Sequence, residues 1–198
     1  MNAWVMNDVT PPDSRMPLIA KNELVTPAAL EFPKIPGVHL PKEPYIDYRL
    51  DFGSDFRTRG IIDFEPPKVG LPFPILVPQV DVDGNEISGV RLPEQIVPLA
   101  TYTGWNLRDP AIGAPDVTYD MVGSFLPFPR TRAEREKIGD PRLSIEERYK
   151  SREDYVQKVE EAAETLVRAR FLIATDLPEI LDRAAARWDS LMNPGAGK

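Results

Sequence analysis

The chain reads as an α+β protein made of Pro-rich extended arms, one β-hairpin and a C-terminal helical region. Three observations predict this. Of 22 prolines, 20 fall at or before Pro141, and each fixes φ and removes a backbone donor, which disfavours long helices and central strands there. One β-branched run with a DGN turn stands between the arms. After Pro129 the pattern changes to capped, amphipathic segments. The chain accordingly divides into a Pro-rich arm with a short N-terminal helix over 1–72, a β-hairpin and TYTGWN loop region over 73–130, a helical region over 131–192 and a flexible tail over 193–198.

The arms are represented by FPKIPGVHLPKEP and FEPPKVGLPFP. Their Leu, Ile, Phe and Val residues stand between prolines and serve as docking side chains on some other surface. Disorder is the competing reading, but disordered segments are usually poorer in Phe, Ile, Leu and Tyr. The hairpin is PILVPQVDVDGNEISGVRLP, with a turn at Asp83 to Asn85 and a second strand from Glu86 to Arg91. Its acidic DVDGNE does not match a calcium loop, which needs oxygen ligands at five or more fixed positions and a glutamate at the twelfth.

In the last third, Thr131, Ser144 and Ser151 each stand three residues before a carboxylate, so three helices begin there with their first amide donors capped. The longest, from about Ser151 to Phe171, carries Tyr155, Val159, Ala162, Ala163, Leu166 and Val167 on one apolar stripe. A last helix starts near Thr175 and Asp176, has Pro178 in its first turn, and buries Ile180, Leu181, Ala184, Ala185 and Trp188 before NPGAGK ends it. Glu160, Glu161 and Glu164 alternate with cations on the solvent side, as a solvated face does.

The chemistry legible in the residues is mostly negative. A net charge of −7 and a pI near 4.9 exclude a basic nucleic-acid or anionic-membrane surface. No apolar run reaches the ~18 residues of a membrane helix, and the N-terminus lacks the basic and apolar regions of a signal peptide. With no cysteine there are no disulfides or thiolate sites, a trait that does not identify the compartment. None of the seven serines, Ser14, Ser54, Ser88, Ser124, Ser144, Ser151 and Ser190, sits in a nucleophile elbow. The single histidine, His39, reads as a loop residue, and one imidazole makes no zinc cluster. There is no phosphate loop or dinucleotide fingerprint, so no metal, no cofactor and no catalytic residue is assigned.

One stretch does carry binding potential. In LATYTGWNLR, Tyr102 and Trp105 offer amphipathic faces, while Thr101, Thr103, Asn106 and Arg108 offer donors and acceptors that could orient a substrate carbonyl or carboxylate in a cleft. The same residues also suit a strand end that turns sharply at Gly104, with Trp105 packed inward and Asn106 capping the next turn.

Taken in order, WVMNDVTPPDSRMPLI, LEFPKIPGVHLP, RLPEQIVPLATYTGWNLR and the FPRTRAEREKIGDPR loop resemble the C-terminal part of a bacterial family of α/β-hydrolase domain proteins, over nearly the whole chain. The resemblance implies a serine hydrolase acting on ester-type substrates. The family's serine turn and histidine lie upstream of the matched region, so none of its catalytic residues carries over. It further implies that Met1 is an internal methionine, a split-gene start or a deliberate truncation. Two functions follow. The chain supports or covers a hydrolase core, its partner being that core or a second copy of itself, or it is an independent, non-enzymatic protein-interaction module.

Overall fold

The computed structural model describes residues 2–42, 45–119 and 121–193. The first third is sparsely structured. Helix α1 (Asn2–Asn7) leads to strand β1 (Leu24–Val25), then to β2 (Tyr48–Asp51), the single-turn helix α2 (Phe56–Arg59) and β3 (Lys68–Pro72). The middle holds β4 (Val77–Pro78), α3 (Pro93–Ile96), β5 (Ala100–Thr103) and β6 (Ser124–Pro127), and the C-terminal part holds α4 (Arg132–Ile138), α5 (Ile145–Arg148), α6 (Arg152–Arg168) and α7 (Leu177–Met192). The class is α+β. The described strands pair only as three antiparallel ribbons, β1–β4, β2–β3 and β5–β6. No described helix is long and apolar enough to cross a membrane.

The helices start where their hydroxyl caps stand. Thr131 Oγ1 accepts from the Glu134 N–H at 3.1 Å, and Ser151 Oγ accepts from the Asp154 N–H at 3.2 Å. At α5 the polarity is reversed, because Ser144 donates both its N–H (2.9 Å) and its hydroxyl (2.7 Å) to the Glu147 carboxylate. Those bonds, with the Arg135 guanidinium, hold the Glu147 carboxyl down at about 2. Helix α6 is shorter than its apolar stripe suggests: Arg170 adopts φ +64°, and the Phe171 N–H returns to the Leu166 carbonyl at 2.9 Å. Tyr155, Val159, Ala163 and Leu166 are buried, with Ala162 and Val167 half-buried beside them.

The core forms where α6 and α7 meet the loop before β5. Tyr155 stacks on Trp188 with ring centroids 5.4 Å apart, and Tyr149 stands edge-on to both. Val97, Leu99, Phe128 and Ile145 close the cluster. The Tyr149 hydroxyl donates to the Pro98 carbonyl at 2.8 Å, which satisfies its one buried polar group. Burial pushes the phenols of Tyr149 and Tyr155 up well beyond their ordinary range.

Beside this core lies a buried polar network. The Arg142 side chain is 3% exposed, and all five of its N–H donors have acceptors: both Asp140 oxygens (3.0 and 2.6 Å), Thr101 Oγ1 (2.9 Å) and the Leu126 and Pro127 carbonyls (2.9 and 3.2 Å). Thr101 passes its own proton to the Asp83 carbonyl. The Asp83 carboxylate is held bidentately by Arg148, whose guanidinium lies 4.2 Å from the Phe128 ring centroid.

The expected hairpin forms only in part. The turn is present, with Val80 bridged to Glu86 and the Asp81 N–H on the Asn85 carbonyl at 2.8 Å. The second strand from Glu86 to Arg91 is absent. After the Ile87 N–H bonds Gln79, the chain bends at Gly89 (φ +80°) and Pro93 opens α3, so β4 pairs with β1 instead. Asn85, fully buried, takes the place of a strand beside β5. Its Nδ2 donates to the Ala100 carbonyl (3.2 Å) and its Oδ1 accepts from the Tyr102 N–H (2.8 Å).

The two arms differ. In the first, Ile35 is buried and Phe32 and Val38 half-buried. The buried Gln79 ties that arm down, accepting from the Glu31 N–H and donating to the Ala29 carbonyl. The second arm folds on itself as the β2–β3 ribbon, whose Val69 and Leu71 are 67% and 75% exposed. Residues Pro194 to Lys198 of the expected tail lie outside the described residues.

Asp140→Ala leaves the Arg142 guanidinium buried without its counter-ion and is expected to lower unfolding stability by about 3–5 kcal/mol. Adding Arg142→Met should recover part of that loss, since an apolar side chain tolerates the site better than an unpaired charge. Urea denaturation of both variants measures this. Equal stability of Asp140→Ala and the parent would show that the pair does not hold the fold.

Candidate functional site

A cleft of about 300 Å³ opens where the first arm crosses the turn and the end of β5. Leu30, Phe32 and Leu40 wall it from the arm, Val80 from the turn, and Tyr102 and Trp105 from β5 and its continuation. The Phe32 and Trp105 rings meet at 5.8 Å with a 57° tilt, so the arm and the TYTGWN stretch form one continuous aromatic wall. The close approach is made possible by Gly84 (φ +81°), where an added Cβ would lie 3.1 Å from the Phe32 ring and 3.0 Å from the Thr101 methyl.

The six residues singled out in the sequence separate into two groups. Tyr102, Thr103 and Trp105 line the cleft. Thr103 does so with its hydroxyl already engaged, donating to the Trp105 carbonyl and accepting from the Ser124 N–H at 3.0 Å. Thr101 is fully buried behind the cleft in the Arg142 network. Asn106 turns back on its own backbone, its Oδ1 accepting from the Leu107 N–H at 2.8 Å. Arg108 pairs through its N–H with Val117 at 3.0 Å and buries an Nε that has no partner among the described residues. The packing role and the binding role therefore fall to different residues of one short stretch, with Trp105, half-buried, taking part in both.

Glu86 is the group the sequence reading passed over. It reaches the cleft beside Gly104, with Oε1 3.6 Å from where a Cβ would stand. It follows the inward Asn85 directly and bridges to Val80, but nothing local in the sequence reveals that it is walled by an arm some fifty residues earlier. Burial pushes the Glu86 carboxyl above its ordinary 4.5. Burial also raises the Tyr102 phenol, although Arg187 draws it partly back.

Among the described residues, the lining includes no serine and no histidine. Ser124 is bonded to the Trp105 carbonyl at 2.9 Å, and His39 is exposed in its loop. An apolar, aromatic cleft with one desolvated carboxyl can bind and orient a small molecule.

A carboxyl whose folded-state pKa is raised holds its proton more tightly folded than unfolded. It therefore opposes folding at higher pH, and the opposition fades as the pH falls through the raised value. Glu86→Gln is expected to raise the melting temperature at about pH 7, and the gain should vanish at about pH 4, where both states are protonated. A variant that melts lower than the parent at both values would contradict this reading of the site.

Residues 1–182 match the family model described as an alpha/beta hydrolase domain. No curated protein matches the chain, and no solved structure does. The match spans nearly the whole chain, including the arms, the cleft and α3 to α6, so the chain belongs to the alpha/beta hydrolase domain family.

Proposed function

We propose that this chain is the C-terminal portion of an ester-type serine hydrolase, where it packs on and covers the catalytic core and does not itself supply the nucleophile. One observation carries the reading. The described residues expose 13,717 Å², whereas surface–mass scaling gives about 9,400 Å² for a compact monomer of 22.3 kDa. Val5 and Met6 of α1, Ile19, and Val69 and Leu71 of the ribbon are each more than 60% exposed, apolar surface that a hydrolase core would cover in this reading.

Two further features support it. An α/β-hydrolase places its serine on a sharp strand-to-helix turn at the top of its sheet, while the described strands here form only two-stranded antiparallel ribbons. No serine of the chain stands in such a turn. In this arrangement the arms wrap the core, the α6–α7 layer provides a rigid backing, and the cleft beside TYTGWN lies where it can border the substrate channel.

A fluorophosphonate probe is expected to leave the chain unlabelled. Hydrogen exchange should be fast over the β2–β3 ribbon and slow in α6 and α7, because the ribbon lacks a partner face. Stoichiometric labelling of one serine, lost on its mutation, would overturn the non-nucleophilic role. Uniformly slow exchange over the arms in a monodisperse monomer would favour a self-sufficient interaction module instead.

A further inference from the structure

We infer that the cleft between the first arm and the TYTGWN stretch is a binding site for a small organic ammonium ion, with Glu86 as its counter-ion and Trp105, Phe32 and Tyr102 as its aromatic walls. The inference goes beyond the hydrolase reading and does not depend on it.

Several sheltered carboxylates elsewhere in this protein each have a cationic partner. Asp140, Asp83, Glu147 and Asp81 have side chains between 2% and 26% exposed, and each is paired with an arginine: Arg142, Arg148, Arg135 and Arg91 in turn. A carboxylate removed from water without such a partner is costly, and proteins usually supply the cation. Glu86 is half-buried in an apolar cleft and has no hydrogen bond or ion pair among the described residues. Lys42, the one cationic side chain among the described residues lining the same cleft, is turned to Asp116 at 2.7 Å. Glu86 thus faces the cleft with no counter-charge among the described residues.

The walls fit a cation attached to an apolar body. Aromatic faces attract ammonium groups within about 6 Å of their centroids, more strongly when water is excluded. Here Trp105 and Phe32 form a tilted pair on one wall and Tyr102 stands on the same lining as Glu86. A neutral ligand would leave the carboxylate unpaired, and an anion would be repelled. At about 300 Å³ the cleft is at the small end of ligand pockets, which suits an amine on a single ring or a short aliphatic stem.

Isothermal titration of the full chain with benzyltrimethylammonium, and with benzyl alcohol as its uncharged counterpart, tests this. One equivalent of the cation should bind, the alcohol should bind at least about tenfold more weakly, and Glu86→Gln should erase that difference. Trp105→Leu should weaken the cation by about fivefold while retaining its preference over the alcohol. An N-acetyl-lysine amide in parallel distinguishes a free amine from a protein side chain as the source of the ammonium, and tighter binding of either supports the site. Equal affinity for cation and alcohol in the parent protein, no binding of any probe, or unchanged cation affinity in a folded Glu86→Gln protein would overturn it.

Discussion

The arginine at position 142 holds the two halves of this structure together. Its guanidinium is buried between the helical layer and the β5–β6 ribbon, and it uses all five donors there: two on Asp140, one on Thr101 and two on strand carbonyls. Answering every donor offsets the several kcal/mol that desolvating an arginine costs. The acceptors come from β5, β6 and the loop before α5, so none of the three can shift without leaving a buried charge unsatisfied. Thr101 extends the constraint to the Asp83 turn, and Arg148 secures that turn from the helical side.

The cleft depends on this network. Asn85 and Thr101 lock the turn against β5, which puts Glu86, the next residue after Asn85, on the outer face of the turn. The arm then crosses that face, anchored through Gln79 to Ala29 and Glu31. Rigid polar contacts on one side and a docked apolar arm on the other produce a walled space with a carboxyl in it. The asymmetry follows from simple energetics: donors and acceptors fix direction, whereas apolar side chains such as Leu30 and Phe32 contribute area and shape.

The contrast between the helical layer and the arms bears on the biological role. Around Tyr155 and Trp188 the side chains pack as in any self-contained core. The β2–β3 ribbon and α1 instead present apolar residues to water, and a two-stranded ribbon is marginally stable alone. In the proposed function a hydrolase core covers those faces.

Much of the helical layer was legible in the sequence by itself. Hydroxyl caps at Thr131, Ser144 and Ser151, the apolar stripe of α6 and the first-turn proline of α7 are local signals, and local hydrogen bonding and periodicity determine helices. The aggregate of prolines likewise marked the arms, and the ordered segments of the resemblance marked the family. The truncated hairpin, the burial of Thr101 and the position of Glu86 were not legible. Each depends on a partner distant in the chain: β1 capturing β4, Arg142 reaching Thr101 from forty-one positions away, and Leu30 and Phe32 closing over Glu86. Local sequence determines which segments can cap, turn and stripe, while tertiary structure decides which polar groups are satisfied inside and which carboxyl is left facing a cleft, because desolvation is a property of the neighbours rather than of the residue.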